Sequence, residues 1–169
     1  MIIWEGLPVH EYSGPPPHEG ESTLRIDGLV RRAMHVCAAD LDALLRIEHV
    51  EAFACEEGWI VPAVRWRGMR LTDVVALAGP LPSSRFIRVH AGDYVVPISI
   101  SAAASALLCG ELNGQPLSPA HGAPWRLLIP GAACFTSVKW VDRLEVTAAP
   151  GENVGEHLAR ARLATVRGV

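Results

Sequence analysis

Phe53-Ala54-Cys55-Glu56-Glu57-Gly58-Trp59-Ile60-Val61-Pro62-Ala63-Val64-Arg65-Trp66-Arg67-Gly68 is the stretch from which the fold can be read. The residues leading into it, Glu51–Cys55, are short and apolar and read as a strand, with Cys55 at its end, just before two carboxylates and a glycine. A strand end holds a side chain rigidly yet leaves it reachable from a loop. A thiolate there is a soft metal ligand and a good nucleophile. Taken alone, a cysteine is more often a small buried hydrophobe. Two of the five tryptophans, Trp59 and Trp66, follow this one closely, with Gly58 and Gly68 beside them.

Outward from this stretch, the pattern is of short elements. Thr23–Val30 alternates apolar and polar residues and ends in a turn-forming Asp27-Gly28. Ala38–Arg46 carries Leu41, Leu44 and Leu45 on one helical face. Leu71–Ala78 reads as a short helix capped by Thr72 and stopped by Gly79-Pro80. Arg85–His90 and Tyr94–Ile100 are β-rich runs joined by Ala91-Gly92-Asp93, which predicts a hairpin. Ser101–Leu108 is Ala-rich and predicts a helix. Trp125–Ile129 and Ser137–Val146 read as strands, and Glu152–Val166 as an amphipathic helix with Leu158 and Leu163 partly buried. Short strands and helices without regular βαβ alternation predict an α+β fold.

The chain has 169 residues, enough for one domain with a real core, and a net charge of −3, which gives no sign of a nucleic-acid surface. All cations except Lys139 are arginines. The four cysteines, Cys37, Cys55, Cys109 and Cys134, form no CxxC and match no structural zinc spacing. No segment is apolar and long enough to span a bilayer, and no signal pattern opens the chain, so a cytoplasmic protein with free thiols is expected. Residues 1–22, with Pro15-Pro16-Pro17 at their centre, read as an extended arm whose His10, Glu11 and Tyr12 could decorate the surface or cover one side of a site.

A second constellation is His121–Trp140, HGAPWRLLIPGAACFTSVKW, preceded by the long irregular stretch Asn113–Pro124. Compact domains seldom keep such loops without a functional reason. His121 and Arg126 bracket a Gly-Ala-Pro turn. Ser137, Val138 and Lys139 offer a hydroxyl, backbone donors and an ammonium within three residues. Such donors suit a phosphate or another compact anion.

The order of motifs resembles the molybdopterin-binding domain of the sulfite oxidase family. The matching residues are Ile26-Asp27-Gly28-Leu29-Val30; Cys55 with Glu57-Gly58-Trp59; Trp66-Arg67-Gly68 and the helix after it; Asn113-Gly114-Gln115-Pro116-Leu117; and His121 to Trp140. The loop after Cys55 is more similar to bacterial sulfoxide-reductase-type members than to sulfite oxidases. The resemblance implies a mixed-sheet, sulfite-oxidase-type fold over residues 23–147, with 1–22 as the arm and 148–169 as a helical tail. It implies a molybdenum-molybdopterin cofactor, with Cys55 as the protein ligand to the metal. It further implies that His121 and Arg126 bind the pterin or its phosphate, and that Ser137, Val138 and Lys139 complete the phosphate site. A residue near His90 would lie beside the cofactor, with His90 a candidate for binding it; Asp93 and Tyr94 are near enough to stand behind the first contacts, Tyr94 being also a catalytic candidate. The implied reaction is oxygen-atom transfer on a small oxyanion or sulfoxide-like molecule, the electrons passing to or from a separate protein. Arg65, Arg67 and Arg88 are the arginines available for the mouth of such a site. Cys109 and Cys134 are expected as packing residues. Two other readings stay open: a non-catalytic cofactor-binding module that kept the fold, and a thiol enzyme using Cys55 with a histidine base.

Overall fold

The computed structural model describes residues 1–9 and 23–167. The expectation for His10, Glu11 and Tyr12 lies outside them. The elements in chain order are β1 (Ile2–Ile3), β2 (Leu24–Gly28), β3 (Met34–Val36), α1 (Ala38–Leu41), β4 (Ile47–Cys55), β5 (Trp59–Arg70), α2 (Leu71–Ala76), β6 (Phe86–Ala91), β7 (Tyr94–Ser99), α3 (Ile100–Ala103), β8 (Leu107–Leu112), β9 (Gln115–Pro116), β10 (Arg126–Leu128), β11 (Arg143–Thr147) and α4 (Val154–Arg167).

They build two mixed sheets. In the first, β5 is the hub: it pairs antiparallel with β4 and β8 and parallel with β1, and β8 in turn pairs with β9 and β10. The second runs in the order β3-β2-β11-β6-β7, with β11 parallel to β2 and all other pairs antiparallel. Mixed sheets with few short helices are the α+β architecture expected from the sequence.

Each sheet buries an apolar face. One core gathers Leu24, Ile26, Val89 and Leu144 of the second sheet with Leu71 and Val75 of α2 and Leu108 and Leu127 of the first. A smaller core, Phe53, Trp59, Val61, Val64, Trp66 and Leu128, lies on the first sheet next to Cys55. Burying side chains of this size stabilises by roughly 1.5–3 kcal/mol each.

Several elements differ from the sequence expectation, each for a local reason. The glycine and proline around Cys55 hide a twelve-residue strand, β5. Its register against β4 slips between Glu51 and Phe53, opposite Pro62, so the missing proline N–H falls at an irregularity where no ladder bond is lost. Its later half carries Trp66 and Met69 into the core at zero exposure. The predicted helix Ser101–Leu108 stops at Ala103, and Leu107–Leu112 is a strand, because Leu107 and Leu108 are needed between β5 and β10. The helix over Ala38–Arg46 is a single turn, Ala38–Leu41, whose start is capped by the Cys37 backbone N–H donating to Asp40. That bond holds the Asp40 carboxyl below its usual range. Arg70, not Thr72, precedes α2 as its cap. The strand expected from Ser137 begins only at Arg143, since the residues before it leave the sheet to line a cavity.

Candidate functional site

A cavity of about 840 Å³ opens where the ends of β4, β6 and β10 meet the 134–140 segment and α4. Cys55, Glu56, Glu57 and Trp59 enter from the β4–β5 turn. Ala91, Gly92, Asp93 and Tyr94 enter from the β6–β7 turn. Arg126 and residues 134, 135 and 137–140 form the floor. Leu158, Ala159, Arg162 and Leu163 of α4 form one wall, and Leu7 and Pro8 reach its edge. Eight aromatic or cationic side chains therefore sit around the thiol-bearing strand end.

Arg126 is the most constrained of them. It is only 5% exposed, yet no carboxylate lies within ion-pair distance among the described residues. Its Nε donates to Ser137 Oγ at 2.9 Å and one terminal nitrogen donates to the His121 carbonyl at 3.2 Å. Its guanidinium lies over the rings of Trp66, at 5.0 Å, and Phe53, at 5.4 Å. Burial lowers its pKa to about 10. A buried cation held only by neutral groups is costly and is well placed to receive an anion.

Lys139 shares this character. Its Nζ donates to the Ala120 carbonyl at 2.8 Å and lies 5.5 Å from the Trp140 ring centroid. Burial, with the Arg126 charge adding to it, lowers its pKa to about 8. Gly122 sets the position: at φ 107° it takes a conformation that suits glycine, and a β-carbon there would lie 2.9 Å from Lys139 Cβ. The Ser137 hydroxyl receives Arg126 and donates to the Leu127 carbonyl at 3.0 Å. Val138 is buried beneath it and accepts the Leu127 N–H through its carbonyl. The structure thus brings Cys55, Arg126, Ser137, Val138, Lys139 and Tyr94 to one cavity.

Tyr94 donates its hydroxyl to the Phe135 carbonyl at 2.6 Å, and burial pushes its pKa up to about 12. Gly155 lets α4 approach it, since a β-carbon there would lie 2.8 Å from the Tyr94 hydroxyl. The two histidines sit elsewhere. His121 Nδ1 meets Ser118 Oγ at 3.0 Å and Nε2 meets the Leu7 carbonyl at 3.2 Å, so the ring reaches the cavity only through Leu7. Burial lowers its pKa. His90 faces Glu145, at 3.0 Å, on the second sheet among Arg88 and Arg143; it is 8% exposed and does not line the cavity. Burial lowers its pKa in spite of that carboxylate. The loop after His90, rather than its ring, reaches the cavity.

Two further placements differ from expectation. Arg65, Arg67 and Arg88 pair with Glu48, Glu111 and Glu145 and do not line the cavity, whereas Arg162 of α4 does. A signal for Arg162 existed in the Leu158–Leu163 spacing, but the sequence does not say what the apolar side of that helix covers. Cys134 is not merely a packing residue: its Sγ lies 3.3 Å from Sγ of Cys55. A proton shared between two sulfurs favours the first ionisation of the pair and opposes the second. Cys109 is fully buried in the core beside Leu128 and Leu117, and burial raises its pKa to about 12.

The donor set can be matched against cofactor classes. Among the described residues no group of three His, Cys, Asp or Glu side chains could hold a metal by itself. A thiol at the strand end, beside cations without a carboxylate partner, fits a metal whose remaining ligands arrive on an anionic organic group. The Trp59 indole N–H, buried without a partner on the cavity wall, is a further unused donor.

An α+β domain with such a cavity is suited to hold an anionic group beside a thiol. The comparisons with known proteins show the family. The family model of the oxidoreductase molybdopterin binding domain matches residues 13–154. The uncharacterized oxidoreductase YuiH of Bacillus subtilis is 29% identical over 142 residues, covering 80% of this chain and 72% of that protein. Mitochondrial sulfite oxidase of Rattus norvegicus is 31% identical over 144 residues, covering 78% of this chain but 24% of the rat enzyme. The sulfane dehydrogenase SoxCD of Paracoccus pantotrophus superposes with a TM-score of 0.71 over 77% of this chain and 39% of that one; at 24% identity it shows the fold alone. The chain belongs to the oxidoreductase molybdopterin binding domain family, and the resemblance to sulfite oxidases seen in the motifs is borne out. The matched region spans about a quarter of the sulfite oxidase it resembles.

Proposed function

We propose that this chain is a molybdopterin-dependent oxidoreductase domain that transfers an oxygen atom to or from a small oxyanion or sulfoxide-like substrate. The observation that carries this reading is the cavity that joins the Cys55 thiol to a buried cation, Arg126, and a half-buried one, Lys139, neither with a carboxylate partner among the described residues. When bound, molybdenum-molybdopterin would supply two-electron oxygen-atom chemistry that no side chain here can perform.

The protein's own share is binding and positioning. Cys55 supplies a soft thiolate to the metal. Arg126, Lys139, Ser137 and Val138 hold the cofactor's anionic end, Arg126 being fixed by its two neutral acceptors and two rings. His121 acts through Leu7 and its own carbonyl, and His90 through the loop that follows it. Tyr94 places a hydroxyl at the wall while steadying the turn that carries Cys134. Phe53, Trp59, Phe135 and α4 keep water from the interior. A separate electron-transfer protein completes the cycle. No helix among the described residues is long and apolar enough to cross a membrane; a cytoplasmic setting is part of this proposal. The thiol-enzyme alternative gains no support from the cavity, because no described histidine lines it.

The test is molybdenum by elemental mass spectrometry, with pterin by fluorescence, on protein from a host that makes the cofactor. Near-stoichiometric molybdenum with pterin is expected, and Cys55→Ser is expected to abolish redox turnover with the fold intact. Absence of both metal and pterin, or full activity in Cys55→Ser, would refute the assignment.

A further inference from the structure

The facing thiols in the cavity wall have a chemistry of their own. Cys55 ends β4 and Cys134 starts the short turn before Ser137; both are half-buried, and both line the cavity through which reagents enter. Their sulfurs are 3.3 Å apart, whereas a disulfide is about 2.05 Å long, so closure requires a movement of about 1.2 Å. The turn is held over the strand end from two sides. The Tyr94 hydroxyl grips the Phe135 carbonyl at 2.6 Å, and the Gly131 N–H donates to Glu51 of β4 at 3.1 Å. Residues 131–133 are Gly-Ala-Ala, with no bulk to block a small adjustment. Proximity is thus built into the fold, while the remaining movement falls on a single short turn.

We infer that Cys55 and Cys134 form an intrachain dithiol–disulfide site that reacts with small-molecule disulfides, and that its oxidised form withholds Cys55 from a metal. The second half rests on the molybdenum reading; the first does not. The chemistry balances with a low-molecular-weight disulfide as oxidant. One cysteine thiolate attacks a sulfur of that disulfide, its S–S bond breaks, and one thiol leaves with a proton. The second cysteine then attacks the protein sulfur of the mixed disulfide and expels the other thiol. Two protein S–H bonds are lost and one S–S bond forms, and the two electrons and two protons leave on two small thiols. A sulfur tied up in that bond cannot ligate a metal as thiolate until a reductant reopens it. Bound cofactor, by occupying Cys55, would in turn protect the pair from closing.

The experiment uses the full chain purified without cofactor and oxidised glutathione as the probe. Intact mass and peptide mapping are expected to show loss of two hydrogens, a cross-link between the peptides carrying Cys55 and Cys134, and a fall in free thiols from four to two, all reversed by dithiothreitol. Cys134→Ser is expected to give a stable glutathione adduct on Cys55 instead. Mixed disulfides in the unaltered chain with no 55–134 cross-link would overturn the proposal. Oxidised and reduced protein are then offered molybdenum cofactor released from a carrier enzyme, and bound molybdenum is measured. At least a tenfold deficit in the oxidised form, restored by reductant, is expected. Equal uptake by both forms would overturn the withholding role. A cross-link accompanied by no uptake even in the reduced chain would leave the disulfide site standing and overturn the molybdenum reading instead.

Discussion

Lys139 should titrate near pH 8, and its displacement measures the electrostatic character of the cavity. Its ammonium has a carbonyl and a ring for partners, and no carboxylate within ion-pair distance among the described residues. Burial first, and the Arg126 charge second, lower its pKa from 10.5 to about 8. A group whose folded pKa is depressed in this way is a base that folding prefers neutral. Below pH 8 both folded and unfolded chains are protonated, and the folded state carries the full cost of the buried charge. Between about pH 8 and 10.5 the unfolded chain binds more protons, so this lysine makes stability rise with pH across that window. The whole displacement would correspond to roughly 3 kcal/mol. Lys139 is only partly buried, so solvent screening reduces this to about 1–2 kcal/mol. It is the only lysine in the chain, so isotope-labelled lysine gives a single side-chain resonance to follow against pH. Urea unfolding of cofactor-free wild type and Lys139→Met, compared at neutral and alkaline pH, gives the energetic counterpart; the wild type should gain about 1–2 kcal/mol on the variant as pH rises. Inorganic phosphate should move the resonance's midpoint upward, because an anion in the cavity favours the charged form. A midpoint at or above pH 10, or parallel stability profiles for the two proteins, would refute the reasoning.

Gly122→Ala should destabilise the cofactor-free chain by about 2–4 kcal/mol, from backbone strain at positive φ plus overlap with Lys139, read as a lower urea midpoint; a cost below about 1 kcal/mol would remove the claimed contact. Tyr94→Phe should leave molybdenum content unchanged and lower turnover by about a hundredfold if its hydroxyl serves as a proton donor; loss of metal instead would assign it to holding the 134–136 turn. Arg126→Met should abolish cofactor retention while the protein remains folded by circular dichroism, and normal pterin content in that variant would refute its role.

The part of this site that could be read from the sequence is the part fixed by local geometry. Cys55 does stand at a strand end, and Ser137, Val138 and Lys139 do share one short segment with Arg126 behind them. What escaped reading depends on contacts between distant residues. Nothing in Arg126's neighbourhood along the chain reveals that Phe53 and Trp66, sixty or more positions earlier, flank its guanidinium. Cys134 looked like packing because its meaning lies in a 79-residue separation from Cys55. β5 was masked by Pro62 and Gly68, which break strands in isolation but are accommodated here where its registers against β4 and β8 slip. Leu107 and Leu108 follow an alanine run that favours helix, and the pairing with β5 and β10 overrides that preference.

The same chain also shows how it treats buried charge when no ligand is intended. On the second sheet, Arg143 is bound to Asp27 at 2.9 Å, Arg25 reaches the same carboxylate at 2.6 Å, and Arg88 and His90 share Glu145. Asp27 is 5% exposed, as deeply placed as Arg126, and its negative charge is answered twice. Around the cavity the carboxylates present, Glu56, Glu57 and Asp93, are exposed and pair with neither Arg126 nor Lys139. Leaving a cation buried and unanswered costs several kcal/mol. A fold that answers its charges on one sheet and leaves two without a carboxylate in this cavity suits a negative charge brought from outside. The thiol at the rim suits an anion that carries a soft metal with it, as the proposed cofactor does.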